Sequence, residues 1–251
     1  MDTFDTSYGK ITLYKNEQCI GHSFKNGNYW DEETLIKLKQ YIDPNRNILE
    51  IGGHCGTSSI MYSSFLNDNN KVFVYEPQRN MYNLLVHNIN QNNLQHKIIP
   101  HNMAVFCYEG IGQMHNVDLE GGGVVANRYT DESHLPCNFG GIGLGDQGES
   151  IQLTMVDSMD IEDIGLIHCD AQGAEHFIFT KAINTITKHR PVIYFEDNLT
   201  HCRYYYNTVL KSYPEYENEG LFDIKRYCME ALNYSKFIDC FNGGIDTLLI
   251  P

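Results

Sequence analysis

The chain has 251 residues, 42% of them hydrophobic, and a formal net charge of −14. That is enough for one large domain with a proper core, and no apolar run nears the ~20 residues that span a bilayer. The negative balance disfavours a nucleic-acid partner, which needs clustered basic residues against phosphates; the densest basic stretch is only Lys181 to Arg190.

The N-terminus, Met-Asp-Thr-Phe-Asp-Thr, has neither the basic nor the apolar region of a signal peptide, so a cytoplasmic location is expected. Residues 1–46 read as an extension with one helix, in which Leu35, Ile36, Leu38 and Ile42 follow the acidic start Asp31-Glu-Glu and Pro44-Asn45 ends the run. This extension either covers a substrate site or forms a dimer contact. From residue 47 to 251 a main domain follows. A strand at Asn47–Ile51, a helix at about 57–66 and a strand at Lys71–Tyr75 come first. A helix over 79–91 turns Leu84, Leu85 and Ile89 inward, and a third strand, His96–Pro100, runs on into Asn102-Met-Ala-Val-Phe.

Residues 119–149 break this rhythm. Gly121-Gly-Gly123 and Gly140-Gly-Ile-Gly-Leu-Gly145 bracket a polar stretch, the signature of a long loop or lid. Strands at Ser150–Val156 and Ile164–Cys169, a helix over 174–187 and a strand at Pro191–Phe195 restore regularity. Helical segments at about 201–212 and 221–232 precede a closing pair, Lys236–Phe241 and Asp246–Ile250, joined by the hairpin turn Asn242-Gly243-Gly244. The alternation predicts an α/β fold with a mainly parallel sheet and a reversed edge strand. The eight cysteines are scattered without a Cys-x-x-Cys pair, which predicts reduced thiols and no structural zinc.

The chemistry begins at Glu50-Ile-Gly52-Gly53-His54-Cys-Gly56, a glycine-rich turn between an apolar strand and a helix that starts with Thr57 and Ser58. About two dozen residues later the next strand ends in Tyr75-Glu76-Pro77. This is half of a nucleotide-binding unit. A dinucleotide loop needs a glycine where His54 stands, so that backbone can approach a pyrophosphate. A loop led by Glu50 instead suits a ligand with a cationic amine, a carboxylate and no phosphate, such as S-adenosylmethionine. Glu76 supplies two acceptor oxygens for a ribose diol.

Ligands of open α/β sheets sit beyond the carboxyl ends of the strands. The other predicted ends carry Asn102, Met103 and Ala104, then Asp170-Ala-Gln-Gly-Ala-Glu175, then Glu196-Asp197. So many acids in one crevice serve a cationic ligand, a metal or a proton transfer. Asp170, Glu196 and Asp197 have two open readings: an oxygen-rich site for Mg²⁺ or another divalent cation, or a pocket wall and a helix cap. Asp170, Glu175 and His201 are the candidate catalytic groups, His201 as a general base. Tyr204-Tyr205-Tyr206 fits stacking on a sugar or plain helix packing, and His168 is read as structural.

Together Glu50-Ile-Gly-Gly-His-Cys-Gly56, Tyr75-Glu-Pro77, Asn102-Met-Ala-Val105, Asp170-Ala-Gln-Gly-Ala-Glu175, Pro191-Val-Ile-Tyr-Phe-Glu196 and Ile245-Asp-Thr-Leu-Leu-Ile-Pro251 resemble the FkbM family of class I methyltransferases. The resemblance spans roughly 47–198 and the C-terminal hairpin. It implies a Rossmann-like sheet of seven strands in the order 3-2-1-4-5-7-6, S-adenosylmethionine as donor, and O-methylation of sugar or glycan hydroxyls. It further implies that Glu50 to Gly56 hold the methionine part, Glu76 with Pro77 the ribose, and Met103-Ala104 the adenine, with Asp170 near the methyl group. Metal-dependent relatives would place ligands at Asp170, Glu196 and Asp197. Gly53-His54 departs from the family's Ala-Asn. The alternatives are a nucleic-acid or other small-molecule methyltransferase, or a cofactor-binding protein without catalysis.

Overall fold

The computed structural model describes residues 1–115, 137–146, 148–200, 203, 207 and 222–251. His201, Tyr204–Tyr206, Gly121–Gly123 and most of the predicted helix 201–212 lie outside these residues.

The N-terminal segment holds more than the one expected helix. Strands β1 (Asp2–Thr6) and β2 (Gly9–Leu13) form an antiparallel hairpin, followed by helices α1 (Ile20–Lys25) and α2 (Glu32–Lys39). The hairpin was hard to see because only Ile11, Thr12 and Leu13 are fully sequestered; β1 alternates half-buried and exposed residues.

From residue 47 on, β3 (Asn47–Ile51), α3 (Thr57–Ser63), β4 (Val72–Tyr75), α4 (Arg79–Gln91) and β5 (Ile98–His101) follow the expected alternation. A small second sheet comes next, of β6 (Ala104–Val105), β7 (Gly110–Met114), β8 (Leu144–Gly145) and β9 (Ser150–Thr154) in the order β6-β9-β7-β8. Strand β10 (Ile164–Cys169) returns to the main sheet. The expected helix 174–187 is two, α5 (Glu175–Thr180) and α6 (Ile183–His189). The second starts afresh because Asp157, from a distant turn, accepts the N–H groups of Asn184 and Thr185 at 3.1 and 2.8 Å. After β11 (Val192–Glu196), a short helix Ile224–Arg226 and a π turn Tyr227–Ala231 lead into β12 (Lys236–Ile238) and β13 (Asp246–Ile250).

The main sheet runs β12-β13-β11-β10-β3-β4-β5, which is 3-2-1-4-5-7-6 when its strands are counted along the chain. Strand β13 is antiparallel to both of its neighbours, so the reversed strand lies one place in from the edge. Burial explains the order. Thr247, Leu248 and Leu249 are buried, whereas Lys236 and Phe237 are exposed, and the more apolar strand takes the inner place. Ile48, Leu49, Val72, Leu166, Ile167, Ile193 and Leu248 are fully sequestered in the sheet's core. Each such side chain is worth roughly 1.5–3 kcal/mol relative to exposure. Among the described residues no helix is long and apolar enough to cross a membrane.

Helix α4 buries Met81, Leu84, Leu85, Asn88 and Ile89 along one stripe. Asn88 is a polar residue in that stripe, fully buried. Its Oδ1 accepts Thr12 N–H (2.8 Å), and its Nδ2 donates to the carbonyls of Thr12 (3.1 Å) and Cys55 (2.8 Å). One amide thereby ties the N-terminal hairpin, α4 and the glycine-rich loop together. Asn88→Ala should destabilise the fold by about 2–3 kcal/mol in urea unfolding, since buried backbone groups at residues 12 and 55 lose their partner.

Candidate active site

Between β3 and β10 the strand order reverses direction: β4 and β5 lie on one side, β10 and β11 on the other. Such a switch point opens a crevice at the carboxyl ends of the strands. A cavity of about 300 Å³ lies there.

The loop after β3 is shaped by three positive-φ residues. Gly52 (φ +91°) lies so close to the Asp170 carbonyl that a Cβ would stand 1.8 Å from its oxygen, and Gly56 (φ +90°) is closed off by Leu85 at 2.6 Å. His54 adopts φ +47°, the left-handed conformation that glycine takes most readily. Its imidazole contributes to the cavity wall, and neither ring nitrogen has a hydrogen-bond partner among the described residues. Burial pulls the ring down to about 4, so it is neutral near pH 7.

Glu76 faces the cavity almost fully buried. His54 N–H donates to its Oε2 at 2.8 Å and Gln78 N–H to its Oε1 at 2.7 Å. Burial pushes its carboxyl up to about 8 despite those two bonds. Asn102 does not reach the cavity; its Nδ2 braces the Glu76–Pro77 turn through both carbonyls at 2.9 Å. Pro77 and Ala104 do line the wall, while Met103 packs against the core. Over this end lies Asn138–Leu144, part of the predicted lid, held where Gln78 Nε2 donates to the Phe139 carbonyl at 2.8 Å.

Glu50 is completely buried and stands behind the wall. The hydroxyls of Ser58 and Ser59 donate to its two oxygens, so the cavity meets Ser58, and Thr57 beside it, before the carboxylate. Burial pushes Glu50 up to about 7, against the pull of both serines. Gly53 also lies behind, packed so tightly that a Cβ would be 2.1 Å from Val74.

On the far side of the switch point, Asp170 opens onto the cavity, with Gln172 Nε2 donating to its Oδ1 at 2.8 Å. The surrounding protein raises its carboxyl above the usual range by desolvation. Glu175 is fully buried behind the loop, where its Oε1 accepts Ala171 N–H (2.7 Å) and Gly173 N–H (3.3 Å). It shapes the Asp170 loop rather than the cavity surface.

The expected trio Asp170, Glu196 and Asp197 does not assemble. Carboxylate oxygens of Asp170, Glu175 and Glu196 fall within 4.8 Å of one another. Asp197 is engaged elsewhere, with His176 Nε2 at 3.1 Å and Lys225 Nζ at 2.7 Å. Those cations hold Asp197 below its ordinary range although burial works the other way.

Among the wall residues that escaped the sequence reading are Trp30, Asp31, Tyr194 and Asp246. His168, read as structural, also reaches the wall; it stacks on Tyr194 at 4.9 Å, and its Nδ1 lies 3.1 Å from the Tyr62 hydroxyl. The Tyr194 hydroxyl donates to Asp246 Oδ2. Asp246 escaped because it begins its strand. In a reversed strand the first residue, not the last, arrives at the carboxyl edge, here opposite Glu196.

No known family profile and no curated protein sequence matches the chain. Among solved structures it is similar to an FkbM methyltransferase from Methylobacillus flagellatus KT, at 14% identity over 68% of this chain and 38% of that one (TM-score 0.42). The chain thus spans well under half the length of that relative. It is also similar to a Staphylococcus aureus protein described as a caffeoyl-CoA O-methyltransferase, at 15% identity over 94% and 93% of the two chains (TM-score 0.48). An O-methyltransferase from Bacillus cereus shares 12% identity over 87% and 79% (TM-score 0.40). These are likenesses of fold alone. The sheet order and the crevice at its switch point are those of a Rossmann-like α/β fold.

Proposed function

We propose that the protein is an S-adenosylmethionine-dependent O-methyltransferase that methylates a sugar or glycan hydroxyl. The observation that supports it best is the cavity lining. Asp31, Glu76, Asp170, Glu196 and Asp246 face the cavity, and no lysine or arginine does among the described residues. A sulfonium with an ammonium group suits such walls; a pyrophosphate does not.

In this reading the ribose diol docks on Glu76. Once ionised, Glu76 offers about four acceptor positions, two of them already held by fixed N–H groups, which leaves the others oriented for the diol. The sulfonium lies at the switch point near Asp170, and the amino group is held through Ser58 with Glu50 behind it. The acceptor hydroxyl approaches the methyl carbon in line. A C–O bond forms as the S–C bond breaks, its electron pair staying on sulfur, and the hydroxyl proton passes to Asp170. Transfer discharges the sulfonium, so the acids hold the ground state more than the transition state. Acceleration therefore comes from positioning and proton removal.

A cation fits this donor set poorly. Glu175 is buried with one oxygen committed to two N–H groups, and Asp197 is committed to an ion pair. No step is assigned to a metal, and methyl transfer should be unchanged by chelator. Calorimetry with the donor, then a methyl-release assay across free sugars in chelator, tests the reading. Donor binding with turnover of at least one sugar is expected. Turnover of RNA but not of sugars, or activity only with added Mg²⁺, would overturn it.

A further inference from the structure

The cavity runs further along the sheet edge than the donor requires. Glu76 follows β4 and Asp246 opens β13, and β3, β10 and β11 lie between them. At ~4.8 Å per strand those four steps span roughly 19 Å. If, as proposed above, the donor lies between β4 and the switch point, it takes the first two steps, and the β10–β11–β13 end is left for the acceptor.

That end has its own walls. From the sheet come Asp170, Glu196 and Asp246, the last two opposite each other in the β11–β13 register. From the N-terminal segment come Trp30, the only tryptophan of the chain, and Asp31. Asp246 accepts the Tyr194 hydroxyl and Asn242 Nδ2 (2.7 Å) on the same oxygen, Oδ2, so its Oδ1 is the one left for a ligand among the described residues. Asp31, Asp170 and Asp246 lie near enough that Asp170 raises the carboxyls of both others, beyond the larger effect of burial. Hydroxyl and ammonium groups donate to carboxylates; an anion brought among them meets like charge.

We infer that the acceptor is a sugar without an anionic group near the reacting hydroxyl, a neutral or amino sugar, and that Asp31, Glu196 and Asp246 exclude uronates and sugar phosphates. This rests on the methyltransferase reading. Trp30 offers an apolar face to the C–H side of a ring, while the carboxylates take its hydroxyls.

The test uses four matched acceptors: a hexose, its 2-amino analogue, its uronate and its 6-phosphate. Methyl transfer is measured for each with the full chain. Binding to protein loaded with S-adenosylhomocysteine is followed by the emission of Trp30, which needs no turnover. The hexose and amino sugar should bind and react, with kcat/KM for the two anions lower by at least ~30-fold, the scale of a like-charge mismatch. Asp246→Asn should narrow the hexose-to-uronate ratio by about fivefold or more, and Asp31→Asn, in the N-terminal segment, should do the same. A uronate within threefold of the hexose overturns the inference. So does a ratio unmoved in both folded variants, or donor binding with none of the four sugars bound. Absence of donor binding is a different result, which removes the methyltransferase reading itself.

Discussion

Replacing Asp170 by asparagine should abolish methyl transfer while leaving the donor bound. The side chain faces the cavity where β10 ends, beside the switch point. Its backbone is fixed independently of the carboxylate: Asp170 N–H donates to the Ile51 carbonyl at 2.9 Å, and its own carbonyl packs against Gly52. Asparagine keeps the volume and an oxygen for Gln172 Nε2, so the loop should not move. What is lost is the proton acceptor. Desolvation already lifts this carboxyl above its ordinary range, which makes it a better base near neutrality. A fall of about 10²–10⁴ in single-turnover rate is expected, the usual worth of a positioned base, with donor affinity changed by less than about fivefold. A rate within tenfold of wild type would remove the assigned role.

Glu76→Gln should weaken donor binding by about 10–100-fold, because one of the two N–H groups now aimed at the carboxylate would face an amide NH₂ instead. The same substitution should change how stability depends on pH. A carboxyl raised from 4.5 to about 8 makes the folded state hold a proton that the unfolded state releases. Its stabilising contribution is complete below the unfolded value and is lost as pH rises through the folded one. Glu50 and Glu175, raised to about 7, act with the same sign and finish earlier. His54 and His168, lowered from 6.5 to about 4, act oppositely but only below their unfolded value. Above pH 7 Glu76 therefore dominates among these groups. Without ligand, Tm should fall between pH 7 and 8.5 in the wild type and stay nearly level in the variant. Thermal unfolding followed by circular dichroism reads this directly, and a wild-type Tm that rises over that window would contradict the buried, proton-holding Glu76.

The strands and helices legible in the sequence are those whose pattern is local. Asn47–Ile51 and Ile164–Cys169 are apolar runs closed by turns, and α4 shows its 3.6-residue stripe without help from elsewhere. The break between α5 and α6 was not legible, since the group that caps α6 is Asp157, some 27 residues away. The candidate site divides the same way. Glu76 and Asp170 end parallel strands and fall where the sheet rule looks. Asp246 begins a reversed strand, and Asp31 arrives from a segment that reads as an extension, so only the fold brings them to the cavity. Asp197 shows the converse error: beside Glu196 in sequence, it turns to His176 and Lys225 instead. Glu50, which the sequence offers as a partner for the donor's amino group directly or through water, stands behind Ser58.

The central claim is that this acidic cavity holds a cationic nucleoside donor. Isothermal titration of the full chain with S-adenosylmethionine at pH 8, in chelator, tests it most directly. The account predicts binding of one donor per chain that weakens at least tenfold in Glu76→Gln. Absence of saturable binding to the folded protein, or equal binding by the variant, would contradict it.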